Sequence, residues 1–191
     1  MRGACSAAMM TLLLVQTAGS AAEGEAGAPD RTQLGEFVPA SRPFPAPSVS
    51  FSDPAGNTVG LSDFRGTPVL INLWATWCEP CLREMPSLER LQSHLGERIA
   101  VVAVSEDRGG SKIVEPFIAK LGLKSVKTYL DPKSTVGQAF EVRGLPTSLL
   151  IDREGRVLGR VEGAADWDSP KIRGILEPLL TGDGVIKASS R

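Results

Sequence analysis

Apolar residues fall along this chain in two alternating rhythms. Val69-Leu70-Ile71-Asn72-Leu73 is a nearly continuous apolar run, the pattern of a strand buried on both faces. Leu82, Met85, Leu88, Leu91 and Leu95 then recur at helical spacing and stop at Gly96, which predicts a helix with one apolar stripe. Residues 99–104 read as a second buried strand, and Ile113, Phe117 and Leu121 mark a second helix that ends at Gly122. Residues 126–130 predict a short strand and residues 132–140 a short helix. Residues 147–151 and 156–161 predict a hairpin around Asp152-Arg153-Glu154-Gly155. Ser169-Pro170 has the residue types of a helix start, with Ile172, Ile175, Leu176 and Leu179 spaced as its core face. Upstream, Val49 and Phe51, a turn at Asp53-Pro54-Ala55-Gly56-Asn57, and then Val59 and Leu61 predict a small hairpin. Strand–helix–strand followed by a hairpin and a closing helix predicts an α/β fold, a mixed central sheet flanked by helices on both faces.

The first 47 residues break this pattern. Arg2 precedes a charge-free run over residues 3–22, with an apolar centre at Met9-Met10-Thr11-Leu12-Leu13-Leu14-Val15 and a small-residue end at Ala18-Gly19-Ser20-Ala21-Ala22. That is the order of a secretory signal peptide. The alternative is an N-terminal membrane anchor, since the charge-free run is just long enough to span a bilayer. Either reading exports the rest of the chain and leaves Cys5 outside its chemistry. Residues 23–47 carry Pro29, Pro39, Pro43, Pro45 and Pro47 and show no hydrophobic period, which predicts a linker. The expected organisation is a leader or anchor at 1–22, a linker at 23–47, one domain over 48–182 and a flexible tail at 183–191.

Composition adds exclusions. Hydrophobic residues make up 42% and charged residues 23% of the 191, an ordinary globular balance. Net charge is −1, and no basic stripe or aromatic–basic alternation points to nucleic acid. His94 is the one histidine, which rules out a histidine-rich metal site.

The candidate chemistry lies in the stretch NLWATWCEPCLREMP, residues 72–86. Cys78 falls where the first buried strand hands over to the first helix. A thiol there faces unpaired backbone N–H groups and the positive end of the helix dipole, and both favour the nucleophilic thiolate. Cys81, three residues on, sits one turn inside and is near enough to close a ring with Cys78. The division of labour follows: Cys78 attacks a partner disulfide and Cys81 resolves the mixed disulfide. Pro80 falls in the first helical turn, where its missing N–H costs little. Trp74 and Trp77 flank the pair and are expected to cover one side of it. Glu84 shares a helical face with Cys81, which leaves two readings of it: a solvated helix residue, or the group that takes the Cys81 proton. Glu79 between the cysteines, where a histidine would stabilise a thiolate, points to a reducing rather than an oxidising pair. Gly144-Leu145-Pro146-Thr147 opens a strand with an X-Pro bond, and that spacing leaves cis and trans both open.

WCEPC after an apolar strand, Pro86 inside the following helix and the later GLPTSLLID resemble the thioredoxin superfamily, and more narrowly its TlpA/ResA-like exported thiol-disulfide oxidoreductases. The N-terminal hairpin, the inserted strand-helix element at about residues 126–140 and the segment 163–169 match that branch. The resemblance implies a cis-proline at Pro146 beside the disulfide, with the backbone at Leu145 receiving an extended substrate. It places Trp77, Glu79, Pro80, Leu145 and Pro146 on the substrate side, and it favours Glu84 as the carboxylate that tunes the cysteines. Asn72 is a departure, since cytoplasmic thioredoxins carry a buried aspartate six positions before the first cysteine. The implied partners are protein disulfide substrates, apocytochrome c or copper-site assembly proteins, and a membrane electron donor, all in the periplasm; no cofactor is expected. Three rivals use the same residues. A structural zinc site lacks a second Cys pair. A thioredoxin-fold peroxidase would carry a threonine three residues before its cysteine, where this chain has Ala75. A Cu(I)-handling protein would use the two thiolates as soft ligands, with Met85 a core residue in preference to a third ligand.

Overall fold

The computed structural model describes residues 35–181; the leader at 1–22, with Cys5, and the tail at 183–191 lie outside the described residues. The strands are β1 (Phe37–Pro45), β2 (Ser50–Ser52), β3 (Thr58–Gly60), β4 (Val69–Trp74), β5 (Ala100–Ser105), β6 (Lys127–Leu130), β7 (Thr147–Ile151) and β8 (Arg156–Glu162). The helices are α1 (Glu79–Leu95), α2 (Ser111–Leu121), α3 (Thr135–Ala139) and α4 (Pro170–Thr181). One sheet joins all eight strands in the order β1-β8-β7-β4-β5-β6-β2-β3. β4, β5 and β6 run parallel, with α1 and α2 as crossovers, while β7, β8 and β1 add antiparallel. Among the described residues no helix is long and apolar enough to cross a membrane.

The pleat of β4 explains its continuous apolar run. Leu70 and Trp74 face a cluster built from Met85, Leu88 and Leu91 of α1, Val114 of α2, and Ile172 and Leu176 of α4. Val69, Ile71 and Leu73 face a second cluster with Phe51, Tyr129, Val136 and Phe140. Both faces are therefore covered, as expected of a parallel core. Period two places Asn72 on the α1 side with Leu70 and Trp74, and it is fully buried there. Helix ends fall where the residue types predict. Gly122 closes α2 in the left-handed region at φ 69°, and Ser169 Oγ accepts the Ile172 N–H at the start of α4.

The linker expected over 23–47 gives way to β1 in its second half. Phe37 pairs with Val161 and Pro45 with Arg156, with a register shift between Pro39 and Phe44. β1 is an outermost strand and mostly exposed, so it carries neither a two-sided apolar run nor a clean alternation. Proline is tolerated on such an edge because no outer neighbour needs its N–H. Composition therefore concealed it, and the folded domain begins before residue 48.

Gly159 lies opposite Pro39 and lets β1 approach β8. A Cβ there would meet the Phe37 ring and the Val38 carbonyl oxygen at 2.5 Å. Gly159→Ala is expected to cost about 1–3 kcal/mol by overpacking and to free β1 first. The check is a lowered melting temperature with early proteolytic cleavage within residues 37–45.

Candidate functional site

The site forms where the C-terminal ends of β4 and β5 meet the start of β7. Trp74 pairs with Ser105 and Leu73 with Thr147, so the segments after β4 and β5 and the one before β7 emerge at one end of the sheet. The turn after β4 is held to β5 by a carboxylate. Asp107, buried, accepts from the Thr76 N–H at 2.9 Å, from Thr76 Oγ1 at 2.6 Å and from Ser105 Oγ at 2.8 Å. Cys78 follows as the N-cap of α1.

Cys78 and Cys81 are joined as a disulfide with their Cα atoms 5.3 Å apart. Cys78 Sγ accepts the Cys81 backbone N–H at 3.3 Å, so the sulfur occupies the place of an N-cap acceptor. Cys78 is 5% exposed and Cys81 0%. The contrast in access is small, but its direction is that expected for an outer and an inner thiol. Trp74 belongs to the same buried cluster as the pair, its ring 6.3 Å from that of Phe117. Trp77 is 72% exposed, so of the two tryptophans expected to cover the pair only Trp74 is buried in its cluster. Glu79 is exposed and pairs with Arg83 at 3.2 Å, and Pro80 stands half-buried in the first turn. The Leu145–Pro146 peptide bond is cis. Pro146 is buried, and Leu145 packs against the cluster that contains both cysteines.

Glu84 is not a solvated helix residue. It is 2% exposed and takes three hydrogen bonds. Asn72 Nδ2 donates to Oε1 at 2.7 Å, while the Ala165 N–H and Trp167 Nε1 each donate to Oε2 at 2.9 Å. Burial pushes its carboxyl up to about 7, with those three bonds opposing. A carboxyl so placed exchanges a proton near neutral pH. Beside it, Ser87 Oγ donates to the Glu84 carbonyl at 2.7 Å and accepts the Trp167 N–H at 3.1 Å. Glu84 and Ser87 thus clamp residues 163–168 onto α1.

The structure gathers Cys78, Cys81 and Leu145 at one cluster and sets Glu84 one turn further along α1; Trp77 and Glu79 lie at the surface. Several supports escaped the sequence reading: Thr76 with Asp107, Ser148, and Trp167. Asn72 did carry a signal, as the one polar residue in an apolar strand. Among the described residues no three His, Cys, Asp or Glu side chains gather in a group able to hold a metal ion.

Comparison with known proteins agrees with this geometry. The Redoxin family matches residues 40–176. Thiol-disulfide oxidoreductase ResA of Bacillus subtilis is 38% identical over 62% of this chain and 65% of its own, so the chain spans just under two thirds of that relative. ResA of Bacillus anthracis is 33% identical over 70% of this chain and 76% of its own. Among solved structures, a Chlorobium tepidum protein assigned as thiol:disulfide interchange protein DsbE superposes with a TM-score of 0.66 at 30% identity, covering 73% of this chain and 97% of that one. A Bacteroides vulgatus protein assigned as a thiol-disulfide oxidoreductase gives 0.60 at 32% identity, covering 75% and 93%. A buried disulfide at a helix start, a cis X-Pro beside its cluster and these matches agree: the chain belongs to the Redoxin family, on the thioredoxin-like fold, in the branch of ResA-like thiol-disulfide oxidoreductases.

Proposed function

We propose that the protein is an exported reductase of protein disulfides, working in the periplasm on substrates such as apocytochrome c or copper-site assembly proteins. The observation that carries the reading is the inequality of the two cysteines: Cys78 at the N-cap, and Cys81 fully buried a turn inside, on the helix that also buries Glu84. The Cys78 thiolate attacks one sulfur of a substrate disulfide, and that S–S bond breaks to release a substrate thiolate. Cys81 passes its proton to Glu84 and attacks Cys78 Sγ, which forms the Cys78–Cys81 bond and releases the second substrate thiolate. Two electrons have moved to the substrate, whose thiolates take up protons from solvent. Two electrons from a membrane donor restore the dithiol. Leu145 and Pro146, with Trp77, Glu79 and Pro80, form the surface that receives the substrate chain. The leader at residues 1–22 delivers the protein to the compartment, by cleavage or as an anchor.

Cys81→Ser tests the reading, since it leaves Cys78 able to attack and nothing to resolve. Mixed disulfides on Cys78 should accumulate in the periplasm, disappear with reductant, and be absent when Cys78→Ser is added. A Cys81→Ser protein that traps nothing overturns the assignment.

A further inference from the structure

Asn72 spends both amide hydrogens inside the protein, one on Glu84 Oε1 at 2.7 Å and one on Ser148 Oγ at 2.9 Å. Its Oδ1 is buried and without a partner. A buried acceptor left unpaired is destabilising, and an apolar residue of the same shape would remove that cost. Asn72 therefore carries a cost at its oxygen, and its two N–H groups, which serve Glu84 and Ser148, hold the explanation for it.

The register supplies the geometry. Asn72 and Ser148 stand directly opposite each other in the β4–β7 pair, so the hydroxyl fixes the roll of the amide before it reaches α1. The two oxygens of Glu84 are unequal. Oε2 is occupied by two donors from residues 163–168, whereas Oε1 is held by Asn72 alone. The amide can donate to a carboxylate but cannot take up a proton itself. We propose that Asn72 is a positioning residue for proton transfer: anchored by Ser148, it aims one N–H at Glu84 Oε1 and holds that carboxyl in its proton-accepting form.

The proposal rests on the reading of Glu84 as acceptor of the Cys81 proton, and it names what tunes that acceptor. Few charges compete for the role. On the elements packed round Glu84, β4 and β7 carry no titratable group and α4 presents Ile172 and Leu176. Residues 163–168 carry Asp166 and Asp168, which pair with Arg90, and Asp168 also with Arg173. On α1, Cys81 precedes Glu84 by one turn; Arg83 pairs with Glu79, and Glu89 is engaged with the N–H groups of residues 124–126.

The test is the titration of the Glu84 carboxyl, followed by carbon-13 NMR on the oxidised protein without substrate. Asn72→Leu should move its midpoint upward by about one pH unit, which lowers the ionised fraction at pH 7 about fivefold. Its melting temperature should fall, because Glu84 Oε1 and Ser148 Oγ lose the donor they share, so the midpoint and not the stability decides. Should Asn72→Leu fail to fold, Ser148→Ala decides, with a smaller upward move expected as the amide loses its anchor. A midpoint that stays put or falls in the folded variant overturns the proposal, and lost stability with an unmoved midpoint marks a structural role only. Because no substrate is present, this outcome is independent of the trapping experiment on Cys81→Ser.

Discussion

Brief treatment of the reduced protein with an alkylating agent at neutral pH should label Cys78 roughly tenfold or more over Cys81. Three features act in one direction. Cys78 is the N-cap of α1, so its sulfur meets the positive end of the helix dipole. Its Sγ already accepts the Cys81 N–H, a bond that strengthens when the sulfur carries charge. Cys81 is sealed from solvent, and a thiolate there forfeits its hydration. Exposure contributes least, since Cys78 itself shows only 5% of its surface. Helix-end electrostatics decide the contrast, so high salt should narrow it little at a site this enclosed. Peptide mapping by mass spectrometry reads the ratio. Equal labelling, or preference for Cys81, assigns the nucleophile to the wrong cysteine.

Replacement of Glu84 by glutamine should separate stability from turnover. The carboxyl is raised from 4.5 to about 7 in the folded protein, so the native state binds the proton more tightly than the unfolded chain does. Stability linked to this group is fully present below pH 4.5 and is lost as pH rises through about 7. The loss amounts to something on the order of 3 kcal/mol. Glu84→Gln removes that loss. Its carbonyl can accept from Ala165 and Trp167, and its amide can donate to Asn72 Oδ1 once the Asn72 side chain turns over. Denaturant titrations at pH 8 should therefore find the variant more stable than the parent, with no such difference at pH 4. The same variant should form mixed disulfides at the parental rate and resolve them slowly, because only the second step needs a proton taken from Cys81. A variant that resolves as fast as the parent removes Glu84 from the proton path.

Much of this was legible in the chain. The two-sided apolar run of β4, the helical stripe of α1 and the cysteine spacing at their junction locate the reactive pair in the sequence alone. Glu84 was legible only as a position on a helix face. Whether that face was wet or dry depended on residues 163–168 folding back over it, a contact spanning about 80 positions of sequence. The link of Thr76 to Asp107 was hidden for the same reason, since it joins two turns that adjoin only after β4 and β5 pair. β1 escaped because composition reports average solvation, and a proline-bearing edge strand is solvated almost as a linker is.

That outer strand also limits what the sheet can bind. An open sheet invites any extended chain to dock along its free border. Here one border is β1, where Pro39, Pro43 and Pro45 present no N–H, and the other is β3, only three residues long. Neither offers a template for a further strand. An extended chain is therefore turned away from both borders, so the sheet can meet exposed strands repeatedly without being drawn into their aggregates.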